Sequence, residues 1–486
     1  MTEKERELQR KAMEEIKKHE DTVKSDPFRL TYHLMPPVGL LNDPNGWIKW
    51  NGTYHMFFQW NPFKTAHGAK FWGHYTSTDL VHWKEEPIAL APSEWYEKNG
   101  CYSGSAVDHE GTLKLIYTGN VKGEQGERES YQCIATSTDG VTFTKEGPVI
   151  DTLPEGYTAH FRDPKVWHDG NEWLLVIGAQ TEDEKGLVLL YRSQDMKTWE
   201  FAGPVAGAGI GSIDEFGYMW ECPDLFHLEG KDVLVVSPQG LEPEGMKYHN
   251  TYQAGYLIGE LDSKTPIFHH GLFEELDRGF EFYAPQTTED DQGRRILVGW
   301  MGVPDQDEHL HPTRENEWIH SLTLPRELHI RADRVIQKPV EELKALRKNE
   351  VSHRNVVVNK DETAYEGVFG KSLELQLSNF ENLEGTFEVS LRGSARMVYD
   401  TEAQVFTFER ISFATRLVEK RQCHLESLNS VRTYVDSSSV EIFINDGQEV
   451  FTSRFFPSPE NEEITFRAST DTTVTIQKWD MKQVTE

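Results

Sequence analysis

NDPNGWIKWNGTYHMFFQW (42–60), CYSGSAVDHEGTLKLIYTG (101–119), FRDPKVWHDGNEWLLVIGA (161–179), ECPDLFHLEGKDVLVVSPQ (221–239) and YAPQTTEDDQGRRILVGWM (283–301) share one pattern. Each is a short strand, a polar turn containing a glycine, and a second strand rich in aromatic or aliphatic residues. The turn glycines Gly52, Gly111, Gly170, Gly230 and Gly293 follow one another at 59, 59, 60 and 63 residues. Units at such a period, each with room for four strands, cannot bury their own faces singly but can do so packed radially. Five of them predict a five-bladed β-propeller. A plain β-sandwich would give no reason for five glycines to keep step.

A second repeat follows the first three hairpins: STDLVHW (77–83), STDGVTF (137–143) and SQDMKTW (193–199). Serine and aspartate suit a tight turn there, and the closing aromatic suits the start of an outer strand. LDSKTPIF (261–268) is a degenerate version after the fourth. Beyond LTLPRELHI (322–330) the texture changes. Residues 336–350, with QKPVEELKALRKNE, read as a short linker helix. From 351 to 486 come alternating strand patterns such as TFEVSLRG and SVEIFINDG, with Asn445-Asp446-Gly447 as a hairpin turn. The chain is therefore expected to be all-β: a lead-in with a short charged helix (1–27, Leu8, Ala12 and Ile16 on one face), a propeller (28–335), the linker helix, and a C-terminal β-sandwich packed against the propeller.

Of 486 residues 80 are acidic and 50 basic, a formal net charge of −30, which excludes the basic footprint of a nucleic-acid binder. Cys101, Cys133, Cys222 and Cys423 lack C-x-x-C spacing, so neither a zinc site nor a disulfide framework is expected. The N-terminal stretch lacks the apolar segment of a signal peptide, and no run reaches the roughly 18 apolar residues of a membrane span. A reducing cytoplasm is the expected compartment.

In a propeller the first strand of each unit lines the central channel. Those strands offer Asn42-Asp43, Tyr102-Ser103, Arg162-Asp163, Glu221 with Asp224, and Tyr283. Carboxylates from three blades should converge around one axis. They are embedded in LLNDPNGW, HFRDPKVW and MWECPDLF, contexts unlike solvated charge runs. A cluster of buried acids is costly unless used or paired.

LLNDPNG, FRDP and WECPDLF, in that order, resemble the three acidic motifs of the family 32 glycoside hydrolases. FWGHYTSTDLVHW, CYSGSAV, FYAPQ, WIHSLTLPREL and VEIFINDG are similar to the family too, so the resemblance covers residues 28 to 486. It implies a propeller joined to a sandwich, the architecture read from the repeats. It implies retaining hydrolysis of a fructofuranoside, with Asp43 as nucleophile, Glu221 as general acid/base and Asp163 as third carboxylate. Arg162 and Asp163 would hold fructosyl hydroxyls, and Asn42, Gln59, Tyr102 and Ser103 would line the fructose subsite. Trp72, Tyr283 and Trp300 would supply apolar walls. Many relatives carry a tryptophan where this chain has His67.

Retaining hydrolysis needs two carboxyl groups about 5–5.5 Å apart, one ionised and one holding its proton. Met219, Trp220, Pro223, Leu225 and Phe226 would disfavour the charged form of Glu221, while Asn42 and Arg162 would keep nearby carboxylates charged. Cys222 could tune Glu221. The expected substrate is a small sugar, sucrose or sucrose 6-phosphate, and a phosphate would need basic groups at the rim, for which Lys247 and His249 are candidates. An exo-fructanase, an inverting relative and a non-catalytic carbohydrate-binding propeller are the alternatives. The first two would differ in substrate or released anomer, and the third should have lost one of the three acids. His269-His270 and His309 with His311 lack a metal framework, and GAGIG (207–211) has no strand before it and helix after it. No cofactor or metal is expected, and a homo-oligomer is compatible with the sequence.

Overall fold

The computed structural model describes residues 2–211 and 213–483; residue 1 and residues 484–486, the outer ends of the expected lead-in and sandwich, lie outside the described residues. Five antiparallel sheets form the propeller. Their first strands are Gly39–Trp50, Cys101–His109, Tyr157–His168, Met219–Leu228 and Tyr283–Glu289, and each contacts the next around the axis. The ring is tied where Trp318–Ile319, beyond the fifth unit's first hairpin, pairs in parallel with Gly39 and Leu40.

The repeats have identifiable physical causes. The five turn glycines have φ of +77°, +77°, +99°, +86° and +75°, while an added Cβ would meet no atom within 4 Å. The left-handed backbone, not space, therefore selects glycine there. In the Ser-x-Asp turns, Asp79 Oδ1 accepts from Val81 N and His82 N, Asp139 Oδ1 from Val141 N and Thr142 N, and Asp195 Oδ1 from Lys197 N and Thr198 N. A carboxylate on two backbone N–H groups fixes each turn, and Asp139 is drawn down to about 2 in consequence.

Every first strand carries a bulge in which two residues face one on its neighbour. The pairs are Asn42-Asp43, Tyr102-Ser103, Asp163-Pro164, Cys222-Pro223 and Ala284-Pro285. Asp163, Cys222 and Ala284 adopt positive φ. Proline has no N–H to donate to a ladder, so a bulge is where a strand tolerates it.

The lead-in is a longer helix than expected, Glu3–Ser25, capped by the Thr2 hydroxyl accepting from Glu5 N. Ala12 is fully buried, and Leu8 and Ile16 pack beside it on the propeller core. The expected linker helix over 336–350 is confined to a 3₁₀ helix of six residues, Glu341–Leu346. Strand Arg334–Pro339 leads into a 3₁₀ turn, Glu341–Leu346, and then into strand Arg347–Val358. Leu343 and Leu346, three apart, both point into the core on such a turn, and Arg347 runs extended with its guanidinium on Glu374. The sandwich that follows packs a six-stranded sheet on a five-stranded one. Its hairpin Ser439–Ile444/Glu449–Arg454 turns through Asn445, Asp446 and Gly447, all at positive φ.

A buried polar seam joins the domains. Arg326 donates to Asp277 Oδ2 (3.0 Å) in the propeller and to Glu441 Oε2 (2.6 Å) and Thr452 Oγ1 (2.6 Å) in the sandwich. His33 Nδ1 lies 2.9 Å from Asp436 Oδ2, and its Nε2 lies 3.0 Å from Glu441 Oε1. A ring with a carboxylate on both nitrogens is held as imidazolium. Its pKa is raised: burial opposes the charge, but the two acids outweigh burial, while His33 helps to hold Asp436 and Glu441 below the usual carboxylate range.

This seam gives a pH dependence of known sign. The His33 contribution is full below the ordinary histidine pKa and is lost as pH rises through the raised folded value. The Asp436 and Glu441 contributions are present above the ordinary carboxylate range and fade as pH falls through their depressed values. The melting temperature should therefore decline on the alkaline side of the histidine range, and His33→Gln should lower it and flatten that limb. Calorimetry at a series of pH values checks this, and an unchanged alkaline limb in the variant would count against it.

Candidate active site

The bulges decide which side chains reach the axis. In a regular strand consecutive residues point to opposite faces. Here Asn42 and Asp43, Tyr102 and Ser103, and Arg162 and Asp163 all line one cavity of about 530 Å³, with Glu221, Gln59, Tyr283 and Trp300. Ties between blades hold the bulges in place. Ser105 Oγ donates to Pro164 O, Lys165 Nζ lies 3.1 Å from Asp224 Oδ2, and Thr287 N donates to the same oxygen at 2.6 Å. Asp224 is thus a buried structural partner and lies outside the cavity lining.

Three carboxylates meet in the cleft with different partners. Asp43 Oδ2 accepts from Ser103 Oγ (2.6 Å), and Oδ1 from Asn42 Nδ2 (3.1 Å). Asn42 in turn accepts from Lys70 Nζ at 2.7 Å. Asp163 Oδ2 accepts from Cys222 N (3.1 Å). Glu221 Oε1 accepts from Arg162 Nε (2.9 Å) and its terminal nitrogen (2.6 Å), and Oε2 accepts from Gln239 Nε2 (2.9 Å) and the Tyr283 hydroxyl (2.7 Å).

Burial and mutual repulsion set the charges. Burial pushes Asp43 up, Ser103 and Asn42 pull it back, and the charge of Glu221 adds to the rise. Asp163 is pushed up to about 7 by burial and by Glu221, against the pull of Arg162. Burial brings Lys70 down to about 7 despite the nearby charges of Asp43 and Glu308. Arg162 stays firmly charged, because Glu221 and Asp163 more than offset its burial.

Several expectations change at this point. The apolar neighbours of Glu221 do not surround its carboxyl. Met219 and Trp220 are buried in the core, and the carboxyl faces Arg162, Gln239 and Tyr283. The Cys222 thiol, kept neutral by burial and nearby acids, sits 3.8 Å from Asp43 Oδ2, so it touches Asp43 and not Glu221. Trp72 is not a cavity wall: it is fully buried, and its indole N–H donates to Tyr102 O (3.1 Å). Trp300 does line the cavity, edge-on to His67 at 6.2 Å. Gln59 is oriented by donating to Cys101 O at 2.8 Å.

Lys247 and His249 also lie off the cavity lining. Lys247 Nζ pairs with Glu274 (3.3 Å), and Arg421 of the sandwich donates to His249 O and Asn250 Oδ1, drawing that loop toward the second domain. Lys70, Gln239, Asn99 and Lys122 line the cavity without having stood out in sequence. Lone polar residues in strand contexts carry no motif. Lys122 and Gln239 end strands that follow bulged ones, and Lys70 and Asn99 sit just before strands Phe71–Ser77 and Cys101–His109. No group of three or more His, Cys, Asp or Glu side chains among the described residues is placed to hold a metal.

Comparison with known proteins bears directly on this geometry. The family model for the glycosyl hydrolases family 32 N-terminal domain matches residues 33–339, and that for the family 32 C-terminal domain matches residues 342–483. The chain belongs to glycoside hydrolase family 32. It is 53% identical to sucrose-6-phosphate hydrolase of Bacillus subtilis (strain 168) over 480 residues, 99% of each chain. A raffinose invertase of Escherichia coli is 39% identical, over 90% of this chain and 91% of its own. Among solved structures, a Bombyx mori family 32 β-fructofuranosidase superposes with a TM-score of 0.87 at 35% identity, covering 98% and 99% of the two chains. Sucrose-6-phosphate hydrolase from Lactobacillus gasseri gives a TM-score of 0.87 at 32% identity, covering 97% of each.

In this family 32 enzyme burial raises Asp163 first, and the charge of Glu221 raises it further. Removing that charge with Glu221→Gln also frees Arg162 for Asp163, and both effects act in the same direction. The carboxyl of Asp163, pushed up to about 7 by burial and by Glu221, should then move toward the ordinary aspartate range. Side-chain carboxyl ¹³C shifts against pH measure this. A value left near neutrality would show that burial alone sets it.

Proposed function

We propose that this family 32 enzyme is a retaining β-fructofuranosidase that releases fructose from sucrose, sucrose 6-phosphate or both through a covalent fructosyl intermediate. The reading rests on one observation above all: two carboxyls, Asp43 and Glu221, share a buried cleft but have opposite partner sets. Asp43 takes neutral donors from Ser103 and Asn42, with Lys70 one hydrogen bond further away, so it can be ionised while remaining a nucleophile. Its aim is fixed by those two bonds. Asp43 would attack the anomeric carbon from one side while Glu221 protonates the departing oxygen from the other.

Glu221 must carry a proton before it can give one. Arg162 occupies Oε1, which leaves Oε2 to be protonated. The Tyr283 hydroxyl lies 2.7 Å from that oxygen and 3.2 Å from Ser237 O, so its hydrogen can turn to the carbonyl when Oε2 holds a proton. After departure of the leaving sugar, Glu221 becomes the base that activates water, and Asp43 is released with net retention. Asp163 and Arg162, beside both groups, would hold the fructosyl hydroxyls, and Trp300 would wall the ring. The names of the relatives support a sucrose-type substrate. Four unpaired cysteines, three of them buried, support work in a reducing cytoplasm.

Glu221→Gln should lower kcat on sucrose or sucrose 6-phosphate by about 10²–10⁴-fold, the range of a general acid/base. Asp43→Asn should cost at least as much. Azide should restore turnover preferentially in the Glu221 variant once leaving-group departure no longer limits it. Proton NMR of the first sugar released should show the β-anomer of fructofuranose. Near-normal turnover by either variant, or inverted product, would sink the assignment.

A further inference from the structure

The hairpin of strands Thr112–Lys122 and Arg128–Ser137 ends in a pair of facing cations. Lys122 and Arg128 are direct partners in its antiparallel register. Like charges placed opposite one another destabilise a hairpin. Two of the acids close to them in sequence are engaged elsewhere. Glu127 Oε2 accepts from Gln125 N (3.0 Å), and Glu129 Oε2 from the Tyr131 hydroxyl (2.5 Å). Among the described residues neither Lys122 nor Arg128 has an ion-pair partner, in a chain whose formal net charge is −30.

Lys122 stands at the site, and the charge of Arg128 reaches it. Lys122 lines the cavity, and its backbone N–H donates to Asn99 Oδ1 at 2.7 Å; Asn99 lines the cavity as well. Arg128 is near enough to Tyr102 and His160 for its charge to act on both. His160 Nδ1 accepts from Arg162 at 2.9 Å, and Arg162 holds Glu221. A path of polar groups thus runs outward from the proposed acid, through Arg162 and His160, to Arg128. The leaving sugar has to come within reach of Glu221, where this path begins. Asp305 also lines the cavity, and the lining His67, like His320, is taken up by Glu308.

We infer that Lys122 and Arg128 form the subsite for the 6-phosphate of the leaving glucose. A phosphate monoester carries about −1.5 to −2 charge at neutral pH and would be repelled by a cleft of three carboxylates unless cations met it at the mouth. A guanidinium suits phosphate oxygens as a two-pronged donor, and a lysine adds a mobile point charge. The facing pair that costs stability in the free protein is relieved when a dianion lies between the two side chains. This assignment rests on the fructofuranosidase reading above for its substrate, but not for its binding site.

The test compares kcat/KM on sucrose 6-phosphate and on sucrose, together with calorimetric binding of glucose 6-phosphate. Lys122→Ala/Arg128→Ala should lower the ratio of the two kcat/KM values at least about tenfold, the scale of losing charged hydrogen bonds. It should weaken glucose 6-phosphate binding by a similar factor, while Lys122→Arg should keep most of the ratio. Rising ionic strength should depress the native ratio and leave that of the double variant nearly flat. An equal loss on both sugars would overturn the proposal. So would a ratio that moves with Lys247→Ala or His249→Ala and not with the facing pair. If the native enzyme cleaves neither sugar, the reaction assigned above fails, and calorimetry alone decides the subsite: glucose 6-phosphate binding lost in the double variant upholds it, and binding unchanged overturns it.

Discussion

Arg162 donates two hydrogen bonds to one oxygen of Glu221 inside a cleft that also holds Asp43 and Asp163. Each of those acids makes the others harder to charge, since burial removes most of the screening that water would supply. A guanidinium is the cation best suited to that position. It cannot be deprotonated at physiological pH, and its fixed fork leaves one more donor for His160. Lys70 answers from the other side through Asn42, but burial has brought it to about 7, the value to which Asp163 has been raised. Arg162 is therefore the permanent cation bonded to these acids, among groups whose protons are set by one another.

The convergence of these groups depends on a backbone irregularity repeated five times. A strand without bulges could send only one of Asn42 and Asp43, or of Arg162 and Asp163, to the channel. The bulge brings both members of each pair to the cavity, and the prolines at 44, 164, 223 and 285 sit in or beside it where no ladder donor is needed. Beneath the site, Lys165, Asp224 and Thr287 link three blades through one carboxylate. The seam of Arg326 and His33 then fixes the propeller against the sandwich. Removing one member of such a buried network leaves an unpaired charge, at a cost of about 3–5 kcal/mol in comparable cases.

How much of this was readable in the chain follows from the same physics. Gly52, Gly111, Gly170, Gly230 and Gly293 were legible because a turn at positive φ leaves almost no other choice, and their spacing counted the blades. The carboxylates were legible because repeated positions share an axis, and the NDP, RDP and ECP strings mark the bulges. The environment of Glu221 was not. Its neighbours are apolar in sequence, but Met219 and Trp220 turn into the core while its real partners, Arg162, Gln239 and Tyr283, come from three different sheets. Trp72 resembled a sugar wall because tryptophan suits both a core and a ring face, and only packing distinguishes them. The QKPVEELKAL stretch has helical periodicity, but Leu343 and Leu346 needed one 3₁₀ turn and no more. Lys122 and Arg128 are ordinary surface residues until register sets them opposite each other.

The dipeptide Glu221-Cys222 shows how tightly the three acids are coupled in position as well as in charge. Cys222 adopts positive φ (48°) ahead of Pro223, which turns its N–H onto Asp163 Oδ2 and its thiol toward Asp43 Oδ2. The backbone that carries Glu221 therefore also holds the other two carboxylates. Both oxygens of Glu221 and of Asp43 have a protein partner. Asp163 Oδ1 is the one carboxylate oxygen of the three acids that accepts no N–H or O–H hydrogen bond among the described residues. With Asp163 raised by burial and by Glu221, that oxygen can donate as a carboxylic acid or accept as a carboxylate. In the proposed reaction it is the free position at which a fructosyl hydroxyl can dock without breaking any bond that aims Asp43 or Glu221.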